Sequence, residues 1–114
     1  MGGGRVRRKW RVRGYGEKDF QEEVIWLAGV LGWRVYHTYD SRRSEPGFPD
    51  LVLLKGDRLV FAELKVGRRG TTAAQQSWLE ELREAGCDAR LWRPTDWREI
   101  EALLRGDDQA RVRK

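Results

Sequence analysis

Asp50, Glu63 and Lys65 are the residues of this chain whose types and spacing point to chemistry. Between them lie two apolar runs, 51–54 and 59–62, separated by Lys55-Gly56-Asp57-Arg58. That pattern predicts a strand, a tight turn and a returning strand. With Gly56 and Asp57 as a two-residue loop, Lys55 faces Arg58 and Asp50 comes directly opposite Glu63. Residues opposite one another share a face of the sheet, as do residues two apart on one strand. Asp50, Glu63 and Lys65 therefore emerge together at the open end of the hairpin, in line with Val52, Leu54, Leu59 and Phe61. Two carboxylates about 5 Å apart repel by roughly 3 kcal/mol at an effective dielectric of 20. A divalent cation held by both removes that cost, and hard oxygen ligands suit magnesium or manganese. Lys65 can offset the repulsion as a cross-strand ion pair instead, and spacing alone leaves the two readings level.

The remaining pattern predicts the elements that must position this hairpin. Residues 17–31 read as a helix, with Phe20, Val24, Leu27, Ala28 and Leu31 on one apolar stripe and Gly32 ending it. Residues 33–39 are rich in β-formers and read as a strand, followed by a polar loop over 40–47. After the hairpin comes a basic turn, Gly67-Arg68-Arg69-Gly70. Thr72-Ala73-Ala74-Gln75 has the form of a capping box opening a second helix, whose buried stripe is Trp78, Leu79, Leu82 and Ala85. Gly86 stops it. Residues 89–92 form a short fourth strand ended by Pro94, and Thr95 or Asp96 caps a last helix that buries Trp97, Ile100, Leu103 and Leu104. This order, helix, three strands, helix, strand, helix, describes an α/β domain with a mixed sheet and helices packed on it.

Composition narrows the class. With 114 residues the chain is long enough for one core but not two. No apolar run approaches a membrane span, no secretory signal is visible, and Cys87 is the lone cysteine. A cytoplasmic protein with neither disulfide nor cysteine-based zinc site is the simplest reading. The net charge of +5 is unevenly placed: +6 on residues 1–14, −2 on 15–105 and +1 on 106–114. The body is thus nearly neutral between a basic arm carrying Arg7, Arg8, Lys9 and Arg11 and a basic tail. Such arms hold phosphate backbones or simply solubilise.

Pro49-Asp50 and Glu63-Leu64-Lys65, at hairpin spacing after one helix and before another, resemble the PD-(D/E)XK nuclease superfamily. Finer features resemble its VRR-NUC family, the virus-type replication-repair nuclease domain: Gly32-Trp33, His37-Thr38, Gly47-Phe48-Pro49-Asp50-Leu51, Ala62-Glu63-Leu64-Lys65, Gln75 three before Trp78-Leu79, Ala85-Gly86 and Trp92-Arg93-Pro94. The likeness spans residues 17–104 and leaves both tails outside. It implies a restriction-endonuclease-like αβββαβ core with a C-terminal helix. Asp50 and Glu63 would ligate magnesium, with manganese able to substitute, helped by the backbone carbonyl of Leu64. Lys65 would orient or deprotonate the attacking water, or steady charge on the phosphate. Gln75 would bond near Lys65 or the scissile phosphate, or serve only the capping box. The family's first-helix acid falls on Glu17, which lies beside the apolar stripe, with Glu23 second. Arg42, Arg43, Arg68 and Arg69 flank the site as phosphate contacts or as ordinary solvated charge, and His37 is either a groove residue or a substrate contact.

The activity so implied is a magnesium-dependent endonuclease acting on DNA, especially branched or structured DNA of phage or mobile-element replication, recombination or repair. One body offers one active site, so cutting both strands of a junction would suit a homodimer. No membrane and no small-molecule cofactor enters this reading. Its rivals are a binding module that kept the fold without the catalysis, and a nuclease subunit of a larger complex.

Overall fold

The computed structural model describes residues 13–39 and 45–107 of the chain. Its elements are α1 (Glu17–Val30), β1 (Arg34–His37), β2 (Leu51–Lys55), β3 (Arg58–Leu64), α2 (Ala73–Glu84), β4 (Asp88–Trp92), a 3₁₀ turn (Pro94–Asp96) and α3 (Trp97–Leu104). The four strands form one sheet in the order β1-β2-β3-β4. β1–β2 and β2–β3 are antiparallel, and β3–β4 is parallel.

The hairpin has the register its loop dictates. Lys55 pairs with Arg58 and Leu51 with Ala62, and Gly56 has φ +60°, the left-handed value that a two-residue loop demands of its first position. Alternation then sorts the side chains. Leu51, Leu53, Val60, Ala62 and Leu64 are buried on one face, against Phe20, Val24, Leu27 and Ala28 of α1, Ile100, Leu103 and Leu104 of α3, Trp33 and Trp92. The opposite face carries Val52, Leu54, Leu59 and Phe61, of which Leu54 and Leu59 are exposed. α2 covers part of that second face: Trp78 meets Phe48 edge-on at 5.0 Å, Phe48 meets Phe61 at 6.1 Å, and Arg83 Nε donates to the Ala89 carbonyl at 2.8 Å.

Three details depart from expectation. β1 is shorter than residues 33–39 at both ends. Trp33 turns into the core, donating from Nε1 to the Leu104 carbonyl at 2.8 Å, while Thr38 N bonds the Asp50 carbonyl at 2.8 Å. On α2 only Leu79 is fully buried; Trp78 and Leu82 are half-buried and Ala85 is exposed. That helix packs along the β4 flank rather than across the sheet, so its stripe is narrow. Trp97, expected in the core, is half-buried at its edge. Among the described residues no helix is long and apolar enough to cross a membrane.

Candidate active site

β2 and β3 bring the acids together. The ladder ends at Leu51 and Ala62, so Asp50 and Glu63 occupy the next opposed position. One carboxylate oxygen of Asp50, Oδ2, accepts from Leu64 N across the strands at 2.8 Å. Glu63 is 2% exposed and its Oε1 has no hydrogen-bond partner, although it is a buried, potentially anionic oxygen. Lys65 is also buried, and its Nζ lies 3.9 Å from Glu63 Oε2. Its backbone is fixed from the other side, since Lys65 N donates to the Trp92 carbonyl at 3.0 Å.

The electrostatics follow from this crowding. Burial, then the negative charge of Asp50, pushes the Glu63 carboxyl from 4.5 up to about 8; Lys65 pulls it back and Glu17 adds to the rise. Asp50 is also raised, chiefly by burial, against the lowering effects of the Leu64 N–H, Lys65, the Glu63 carboxyl and, last, His37. A buried acid and a half-buried one this close cannot both ionise cheaply, so burial and repulsion together favour a proton shared by the pair. Lys65 is therefore an incomplete answer to the repulsion, and the ion-pair reading does not account for the site by itself.

Glu17, at the first turn of α1, is the helix acid whose charge reaches Glu63. Glu23 is instead engaged by Tyr15, whose hydroxyl donates to it at 2.8 Å. Gln75 completes the capping box: its Oε1 accepts from Thr72 N at 2.8 Å while its own N donates to Thr72 Oγ1 at 3.1 Å. His37 Nε2 bonds Gln21 Nε2 at 2.9 Å, and the ring sits 4.7 Å from that of Tyr39. Arg68 and Arg69 are exposed on the turn after β3. Arg42, Arg43, Arg7, Arg8, Lys9 and Arg11 lie outside the described residues.

Arg93 is a residue whose role sequence reasoning did not supply. Its guanidinium donates to the Gly67 carbonyl at 3.1 Å and to the Arg69 carbonyl at 2.8 Å, which ties the basic turn to the end of β4. No local signal could have revealed it, because the acceptors are backbone groups 26 and 24 residues away.

The donor set at this point is small. Among the described residues no group of three or more His, Cys, Asp or Glu side chains is arranged around one point. The site offers two carboxylates, one with a buried unbonded oxygen, and magnesium characteristically takes one or two carboxylates and keeps several waters.

No family model matches the chain, and neither does any curated protein. Among solved structures it is similar to a VRR_NUC domain protein, with a TM-score of 0.62 and 18% sequence identity over 87% of this chain and 93% of that one. The chain thus has the fold of a VRR_NUC domain, a four-stranded mixed sheet between helices, with Asp50, Glu63 and Lys65 at the open end of its central hairpin.

Proposed function

We propose that this chain is a magnesium-dependent endonuclease that hydrolyses phosphodiester bonds in DNA. The observation that carries the reading is the buried, unbonded Oε1 of Glu63 beside the Asp50 carboxylate, with a buried lysine on the same face. A structural hairpin gains nothing from the unbonded oxygen, whereas a site that holds a cation uses it. Asp50, Glu63 and the Leu64 carbonyl would hold the ion, and manganese would serve in its place. Bound there, the ion supplies polarisation of a phosphoryl oxygen and a water of lowered pKa.

The protein's own groups do the rest. Glu63 would have to give up its proton to hold an ion, and the Leu64 N–H keeps the Asp50 carboxylate aimed. Lys65, confined by burial and by its backbone bond to Trp92, presents its ammonium to the attacking water and to the charge that builds on the phosphate. Arg68 and Arg69, on the turn held by Arg93, meet neighbouring phosphates. Branched or otherwise structured DNA is the proposed substrate, cut by a homodimer with two such sites.

The test is a cleavage panel of single-stranded, duplex, flap, splayed and four-way DNA, with magnesium and with EDTA, for the wild type and Asp50→Asn. Magnesium-dependent cutting of at least one substrate by the wild type alone is expected. Binding without cleavage of any of them would refute hydrolysis and leave a nucleic-acid-binding module.

A further inference from the structure

Next to the carboxylates the same face of the sheet carries a cavity of about 330 Å³, lined by Tyr36, Thr38, Glu45, Phe48 and Trp78. Its volume lies at the lower end of the range, about 300–1,000 Å³, of pockets that hold small molecules. We propose that it receives an unpaired nucleobase of the nucleic acid strand, next to the phosphate that lies on Asp50 and Glu63. This rests on the nuclease reading for its placement and adds what that reading lacks, a contact to a base.

Position is the first argument. Thr38 forms part of the wall and is bonded to the site itself: its N donates to the Asp50 carbonyl and its Oγ1 to the Pro49 carbonyl, both at 2.8 Å. Phe48 precedes Asp50 by two residues, and its ring packs on Phe61, which precedes Glu63 by two on the same face. A strand with one phosphate at the carboxylates therefore has its adjoining nucleotide at this cavity.

The lining is the second argument. Three of the five residues are aromatic, and a base of any identity offers a flat π-face to such rings. Two of the rings are held in advance: Trp78 donates from Nε1 to the Pro46 carbonyl at 3.2 Å and lies at 84° to Phe48. Tyr36, 61% exposed, is open to solvent on the β1 side. Rings already fixed lose little freedom when a base stacks on them.

Charge is the third. The single charged group of the lining is Glu45. An acid repels phosphate, so the cavity does not take the backbone, but a carboxylate accepts from the exocyclic amino group of a base. A base inside a duplex cannot reach a recess of this kind without leaving its stack, and so the occupant is an unpaired one.

The experiment uses the full chain with calcium in place of magnesium, so that an ion can still lie on the carboxylates, and a splayed duplex in which 2-aminopurine is moved one nucleotide at a time along the unpaired arm. Binding should quench the fluorescence strongly at one position, where the base lies among the rings. An abasic site at that position should weaken binding about tenfold, within the range that stacking on an aromatic side chain gives. The penalty should disappear in Tyr36→Ala and in Trp78→Ala, each checked for its fold by circular dichroism; the exposed Tyr36 makes the first a safe variant. An abasic penalty of the same size in wild type and both variants overturns the proposal, as does uniform quenching along the arm. Cleavage is scored separately in magnesium. A position-specific response without cleavage leaves the base pocket standing and sinks hydrolysis, whereas cleavage without such a response sinks the pocket alone.

Discussion

Replacing Asp50 by Asn should stabilise this protein, and by an amount that depends on pH. The substitution preserves the carbonyl oxygen that accepts from Leu64 N, so the cross-strand bond at 2.8 Å survives. What it removes is the charge that, after burial, does most to raise Glu63 from 4.5 to about 8. The folded-state value lies above the unfolded one, so the stability tied to neutral Glu63 is fully present below pH 4.5. It is lost as pH rises from there through about 8. Direct repulsion at about 5 Å and an effective dielectric of 20 is about 3 kcal/mol, and Lys65 beside the pair offsets part of it, so about 2 kcal/mol is the share to assign to Asp50. Urea melts in EDTA should therefore show Asp50→Asn gaining about 2 kcal/mol more over wild type at pH 9 than at pH 5.5. For a domain of this size that is roughly 8–16 °C in Tm. Magnesium at pH 8 should raise the Tm of the wild type and leave the variant unmoved. A gain that is equal at the two pH values, or smaller at pH 9, would refute the shared-proton account of the pair.

Lys65→Ala should lower stability by about 1–3 kcal/mol, more at pH 9 than at pH 5.5, because the buried Glu63 and the adjoining Asp50 lose their neighbouring cation; it should keep magnesium binding by calorimetry yet lose cleavage by orders of magnitude. Magnesium affinity of the wild type should rise about tenfold per pH unit between pH 6 and 8, since Glu63 must release its proton to bind. Calorimetry in two buffers of different ionisation enthalpy counts that proton, and a flat profile would contradict it. Gly47→Ala should cost about 1–3 kcal/mol in urea melts: φ is +89°, and the added Cβ would lie 2.5 Å from the Ala74 carbonyl carbon.

The hairpin was legible in the sequence because a two-residue loop between apolar runs leaves only one register, and that register brings Asp50 to Glu63. The capping box at Thr72 was legible for the same reason: its bonds are local. The stripe of α2 was read too wide, because periodicity reports which residues share a helical face but not how much sheet that face will meet. Trp78, expected in the core, instead lines a cavity beside Phe48. Glu17 was legible as the helix acid beside the apolar stripe, whereas the grip of Arg93 on the basic turn and the unbonded Glu63 oxygen were not. Each joins groups more than 20 residues apart or depends on burial from several elements at once.

The bond from Lys65 N to the Trp92 carbonyl has a consequence for synthesis. Asp50, Glu63 and Lys65 are all made before position 92, and a nascent chain ending near residue 70 already contains them. It lacks β4, the parallel neighbour that covers the flank of β3, and Trp92, the largest fully buried side chain of the core. Without them the strand end that carries Glu63 and Lys65 is open to water, and neither the perturbed carboxyl nor the confined ammonium can exist. The arrangement of Asp50, Glu63 and Lys65 is thereby complete only once β4 has been made.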